Sequence, residues 1–197
     1  MYNNILIREN YFENPGKIRN IALSLEYESR LEKKYPHKGW RGKRTHSLDF
    51  YNNNYINYYS EKIFNLCYDY FDLGNYIHPD LKKSPINPVL ISYFHINVEK
   101  DKECFPDYFH DKFHQDDACY VAGVVYLTPN PVINAGTSIF DDEINQVVEI
   151  DNIYNRLVAF ESSKIHAPSN FFGFDDQTGR MTYNFFILES KHLGCDE

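Results

Sequence analysis

The sequence predicts an α+β domain in which helices come first and strands follow. Apolar residues recur at helical spacing in two segments before Gly74. From Val89 onward the period falls toward two, with β-branched and aromatic residues set between Pro, Gly and Asn turns. A chain of 197 residues that is 43% hydrophobic and 17% aromatic is long enough to bury a substantial core. Helices followed by strands favour α+β over a parallel α/β arrangement. No repeat, linker or low-complexity stretch divides the chain. One domain over 1–197 is therefore expected, with helical support to about 87 and a strand core from about 88 to 190.

Taken in order, Ile5-Leu6-Ile7 reads as a short strand. Asn14-Pro15 has the form of an N-cap followed by a first-turn proline, and Ile18, Ile21, Ala22 and Leu25 continue it at helical spacing. A second amphipathic helix follows from Ile56, Tyr59, Ile63, Cys67 and Tyr70, with Gly74 as its stop. Between the two, His46-Ser47-Leu48-Asp49-Phe50 alternates, so a strand is expected to start just after Arg44. Ile91 to Ile96, Val124 to Leu127 and Met181 to Ile187 are the clearest later strands.

Composition narrows the function classes. No apolar run reaches the ~20 residues of a membrane span, and the start of the sequence lacks the basic and apolar regions of a signal peptide, so a cytoplasmic protein is expected. Cys67, Cys104, Cys119 and Cys195 have no C-x-x-C spacing and read as free thiols. A net charge of −8 disfavours a general nucleic-acid binder.

The chemistry concentrates in His114, Asp116 and His166. Alternate residues of a strand project from one face, so His114 and Asp116 point the same way. Two imidazoles and a carboxylate on one side of Fe(II) leave positions open for substrate chemistry. Arg180 comes fourteen residues after His166, at the head of the last strand-like run, and a guanidinium suits a carboxylate. Thr182 shares its strand face and could reach the same carboxylate. A His-x-Asp pair alone is more often a surface contact than a ligand set; the second His and the Arg/Thr strand shift the balance. His110 is the one rival ligand.

These landmarks resemble the Fe(II)/2-oxoglutarate-dependent oxygenases, particularly the prolyl-4-hydroxylase-like branch, over roughly half the chain from about Pro88 to Leu188. Phe113-His114-Gln115-Asp116 is similar to that family's H-x-D segment. Val124-Val125-Tyr126-Leu127 resembles the strand whose tyrosine touches 2-oxoglutarate. Asn134 to Phe140 resembles the Gly-Gly-x-Thr-x-Phe turn and strand, although Ala135 replaces the first Gly. Asn155 to Phe160 resembles the strand entering the distal His. The resemblance implies a double-stranded β-helix (jelly roll) buttressed by the helices. It also implies Fe(II) held by His114, Asp116 and His166, and 2-oxoglutarate held by Arg180, Tyr126 and Thr182, with O2 as oxidant. A carboxylate at Asp116 favours hydroxylation over halogenation, which needs a small residue there. The interval from His166 to Arg180 exceeds that of compact members and implies an extended hairpin over 170–179.

Substrate is expected to be a peptide side chain, such as proline, or a small molecule. Tyr93 and His95 share a face and are placed to line the pocket, His95 as a structural histidine with its hydrogen bonds satisfied. The basic stretch 33–44 surrounds the single Trp, Trp40, and reads either as a solvated loop or as a grip on an anionic or polar substrate, with Arg44 the preferred contact. The charged, aromatic loop from Lys100 to Phe113 reads as a lid. Two other readings stand beside the enzyme: a cupin-like metal-binding jelly roll without turnover, and a non-catalytic interaction module using the basic loop.

Overall fold

The computed structural model describes residues 4–29, 41–78, 87–102, 113–116, 119–141 and 145–190. Strand β1 (Ile5–Arg8) is followed by helix α1 (Pro15–Leu23). The Asn14 side chain caps α1 by accepting the Lys17 N–H at 2.9 Å, and Pro15 fills the first turn, where no N–H is needed. Two two-residue strands, β2 (Glu28–Ser29) and β3 (Lys43–Arg44), precede helix α2 (Asn54–Tyr70). Asn53 caps α2 through the N–H groups of Tyr55 and Ile56.

Ile56, Tyr59, Ile63 and Cys67 form the buried face of α2 as the spacing requires, but Tyr70 lies off it, its hydroxyl donating to the Ile5 carbonyl at 3.0 Å. The helix stops before Gly74, because Asp72 takes the left-handed conformation (φ 47°) that reverses the chain. The alternating run after Arg44 is not a strand. Leu48–Tyr51 is a turn of 3-10 helix, with Leu48 1% exposed and Asn52 left-handed at φ 45°, which swings the chain straight into the α2 cap.

The remaining strands are β4 (Pro88–Asn97), β5 (Cys119–Tyr126), β6 (Thr137–Asp141), β7 (Gln146–Ile150), β8 (Leu157–Glu161), β9 (His166–Pro168) and β10 (Arg180–Glu189). They make two antiparallel sheets, ordered β1-β8-β5-β10-β4-β3-β2 and β7-β6-β9. From β4 onward the chain passes repeatedly between them, and a bridge between His114 and His166 lengthens the smaller sheet beside β9. The result is a mostly-sheet α+β fold.

Alternation along the central strand β10 separates two environments. Met181, Tyr183, Phe185 and Ile187 join Ile18, Ala22, Ile56 and Ile63 in the core under the helices. On the opposite side of the large sheet, Ala122, Tyr126, Val158 and Phe160 pack with Ile139, Val148 and Ile150 of the small sheet. The Ile, Val, Phe and Met side chains among them contribute about 1.5–3 kcal/mol each when fully buried. Arg180, Thr182, Asn184 and Phe186 take the intervening positions of β10 and so share this second space. Gly136 stands where a Cβ would fall on the Ile150 carbonyl oxygen, whereas Ala135 is accommodated fully buried. The close approach needs glycine only at the second position, which explains the single Gly.

Segment 170–179 is not a hairpin, because β9 and β10 belong to different sheets. It is a crossing turned by Asp175, whose carboxylate accepts the Gln177 and Thr178 N–H groups and the Thr178 hydroxyl. Arg19 of α1 fixes it by donating to the Gln177 carbonyl at 2.6 Å, and Lys43 by pairing with Asp176 at 2.5 Å. Cys67 and Cys119 are free thiols; Cys104 and Cys195 lie outside the described residues. Among the described residues no helix is long and apolar enough to cross a membrane.

Candidate metal centre and pocket

One ligand atom each from His114, Asp116 and His166 can be chosen so that all lie within 4.8 Å of one another. Asp116 is not in a regular strand, yet its N–H bonds the Ser162 carbonyl at 3.2 Å, and His114 and His166 exchange backbone hydrogen bonds of 2.9 Å each. That ladder puts both histidines and the carboxylate on one side. The Asp116 oxygens divide between the imidazoles: Oδ2 is 3.2 Å from His166 Nε2 and Oδ1 is 3.7 Å from His114 Nε2. The imidazoles differ in access. The His114 side chain is 48% exposed and that of His166 10%, with the His166 ring 4.5 Å from that of Phe160.

His166 Nδ1 lies 3.0 Å from the Lys164 carbonyl, which can only accept, so Nδ1 carries the proton and Nε2 presents its lone pair to the site. Metal-bound histidines characteristically donate their other N–H in this way. Donor set, spacing and tautomer therefore fit a divalent metal of the facial-triad type.

Arg180 is 4% exposed on β10. Nε donates to the Ala135 carbonyl at 2.8 Å and Nη2 to the Gly136 carbonyl at 3.0 Å, so the turn before β6 holds the guanidinium. Its carbon lies 5.4 Å from the centre of the Tyr126 ring. No carboxylate among the described residues pairs with it, and burial lowers its proton affinity below the ordinary arginine range. A buried cation without an anion is costly, and it suits an acidic ligand.

Tyr126 is buried and its hydroxyl lies 2.6 Å from the Thr137 hydroxyl, tying the two sheets together. Burial raises its pKa, with Arg180 opposing the shift. Thr182 stands opposite Tyr126 on one side and His95 on the other, but its hydroxyl donates to Asn184 Oδ1 at 2.6 Å rather than joining Arg180. Asn184 was not singled out by motif. Counting in twos from Arg180 along the same strand face would have found it.

His95 donates from Nε2 to the Arg41 carbonyl at 2.5 Å, in keeping with a structural histidine. Its pKa falls to about 3, chiefly through burial and further through Arg44 and Arg180, against the opposing pull of the Arg41 carbonyl. Arg44 pairs in register with His95 and lays its guanidinium 4.5 Å from the centre of the Tyr93 ring, which stacks on Phe186 at 5.8 Å. Burial, opposed by Arg44 and aided by Asp116, pushes the Tyr93 phenol to about 12. The cation and the aromatic pair thus form a wall near the carboxylate. Trp40, the rest of the basic stretch before Arg41, His110 and most of the lid-like loop lie outside the described residues.

No protein-family model and no curated protein matches the chain. Solved structures do. A prolyl-4-hydroxylase from Pseudomonas putida superposes with TM-score 0.55 at 10% identity, over 95% of this chain and 93% of that one. A Trichoplax adhaerens prolyl hydroxylase, in complex with a hypoxia inducible factor oxygen degradation domain peptide fragment, gives 0.58 at 16% identity over 99% and 88%. The non-heme alpha ketoglutarate dependent epimerase SnoN from nogalamycin biosynthesis gives 0.58 at 11% identity over 96% and 77%. The chain has the fold of the prolyl-4-hydroxylase-like Fe(II)/2-oxoglutarate-dependent oxygenases.

Proposed function

We propose that this protein is an Fe(II)- and 2-oxoglutarate-dependent dioxygenase that hydroxylates a peptide side chain, such as proline, or a small molecule. In this reading residues 1–197 form one domain, with a helical support to about 87 and a double-stranded β-helix (jelly roll) over about 88–190. The observation that carries it is the convergence of His114, Asp116 and His166 near a space that also holds the buried Arg180, with which no carboxylate among the described residues pairs. The peptide option draws support from the Trichoplax relative, which binds a peptide fragment. The epimerase is a reminder that one fold serves more than one outcome.

His114, Asp116 and His166 would hold Fe(II), with the His166 tautomer set by the Lys164 carbonyl. Arg180 would bind the distal carboxylate of 2-oxoglutarate, assisted by Tyr126 and Thr182. The metal and 2-oxoglutarate, once bound, supply O2 activation and C–H oxidation. The chain orients both reactants and keeps bulk water from the Arg180 end, which the two sheets bury. Arg44 and Tyr93 form the substrate wall, and the negative net charge argues against nucleic acid as substrate. A cupin-like protein without turnover has no need of a buried cation held against Tyr126 between the sheets.

The test is anaerobic titration with Fe(II), then with 2-oxoglutarate. Wild type should bind one equivalent of each, while His114→Ala and His166→Ala should fold but lose stoichiometric iron. One iron bound at unchanged affinity in both variants would overturn the assignment.

A further inference from the structure

We propose that the buried ion pair between Asp141 and Lys164 positions His166 for metal binding. The inference rests on the reading of His166 as a ligand. β6 and β9 pair Ile139 with His166, so the next positions outward bring Asp141 opposite Lys164. Lys164 Nζ lies 4.0 Å from Asp141 Oδ1, with the two side chains 6% and 2% exposed. Asp141 closes β6 immediately after Phe140, whose N–H bonds the Ile165 carbonyl at 2.8 Å. The end of one strand thus grips the segment leading into His166 by both backbone and charge.

Stability does not account for such a pair. Each buried ion carries a desolvation cost of several kcal/mol, and a 4.0 Å separation recovers less of it than a tight contact. Two apolar side chains of similar volume would serve as well. Nor is the pair needed to form the preceding turn: Lys164 N–H bonds the Glu161 carbonyl at 3.0 Å, the Ser162 hydroxyl the Cys119 carbonyl at 2.5 Å, and the Gln115 amide the Ser163 carbonyl at 2.5 Å. None of these fixes the Lys164 carbonyl. That carbonyl decides the tautomer of His166, because it accepts the Nδ1 proton at 3.0 Å. Rotation of this peptide would let the proton move to Nε2 and remove the lone pair aimed at the site. Anchoring the Lys164 side chain to Asp141 restrains that rotation.

The test compares Asp141→Leu, Lys164→Met and the double variant with wild type, by cobalt(II) titration, the visible spectrum of the cobalt protein and thermal unfolding without metal. Each single variant should melt earlier, because one member of a buried ion pair is removed while the other stays buried, and should bind cobalt(II) about 10–100-fold more weakly, the usual effect of losing support behind a ligand. The double variant should recover the melting temperature but remain at least about tenfold weaker for cobalt(II), with an altered spectrum. Recovery of both stability and affinity in the double variant would reduce the pair to packing and overturn the proposal. Wild-type affinity in either single variant would overturn it too, while leaving the metal site standing. A wild-type protein that binds no cobalt(II) would remove both.

Discussion

Replacing Arg180 by methionine separates what this residue does for the fold from what it does for a ligand. Two losses are expected. The Ala135 and Gly136 carbonyls, which accept from Nε at 2.8 Å and Nη2 at 3.0 Å, each lose one of two donors, Ala135 keeping the Asn152 amide at 3.2 Å and Gly136 the Ser169 N–H at 3.1 Å. Neither carbonyl is left unsatisfied, so each lost hydrogen bond costs about 0.5–1.5 kcal/mol and the two together roughly 1–3 kcal/mol, or about 2–12 °C in Tm for a protein of this size. The second loss falls on the distal carboxylate of 2-oxoglutarate. Removing one partner of a buried charge pair costs about 2–5 kcal/mol, a weakening of roughly 30-fold to several thousand-fold. Pyruvate has no distal carboxylate and should lose little. The assay is calorimetric titration of both 2-oxo acids without oxygen, with cobalt(II) in place, well below the variant's Tm. Wild type should prefer 2-oxoglutarate strongly and Arg180→Met should lose most of that preference. A lowered Tm with the preference intact would show that Arg180 only supports the turn, and the co-substrate reading would fall.

Acid should expose His95. Its ring stays neutral in the folded protein to about pH 3, against an ordinary 6.5, so the unfolded chain takes up the proton first and stability falls from about pH 6.5 toward 3. The full shift is worth on the order of 3–5 kcal/mol; denaturant titrations at several pH values should show His95→Gln with a flatter profile, and parallel profiles would contradict the account. Arg44→Ala should retain decarboxylation of 2-oxoglutarate uncoupled from substrate and lose stimulation by substrate, and Trp40→Ala should behave alike. Equal loss of both activities would make these residues part of the fold, and retention of both would return the basic stretch to solvent.

The features legible in the sequence were those whose cause is local. Asn14-Pro15 announces a helix start because cap and first turn are adjacent in the chain. The buried face of α2 shows itself through spacing alone. The misreadings have local causes as well. His46 to Phe50 alternates in polarity, but burial of Leu48 and the left-handed Asn52 make it a single helical turn. Gly74 looks like the stop of α2, while Asp72 provides it. What could not be read depends on pairing between distant strands. Nothing near Asp141 or Lys164 marks them as partners until β6 and β9 are aligned. The same holds for Arg180, whose carbonyl acceptors lie 44 and 45 residues away.

The position of β10 has a consequence for how the protein comes into being. It is the last strand in chain order among the described residues, yet it lies between β4 and β5 and bonds to both. Until it inserts, β4 and β5 have no common partner, Arg180 is far from its turn, and the helices lack Met181, Tyr183 and Phe185 to rest on. Such long-range pairing is slow to form, because loop closure must precede any gain from contact. A growing chain would therefore hold the His114–Asp116 segment well before it has the anchor for an acidic ligand. The complete pocket appears only in the same event that completes the large sheet, so a half-folded molecule would lack the full chemistry. Assembly order thus couples completion of the candidate site to the arrival of a finished sheet.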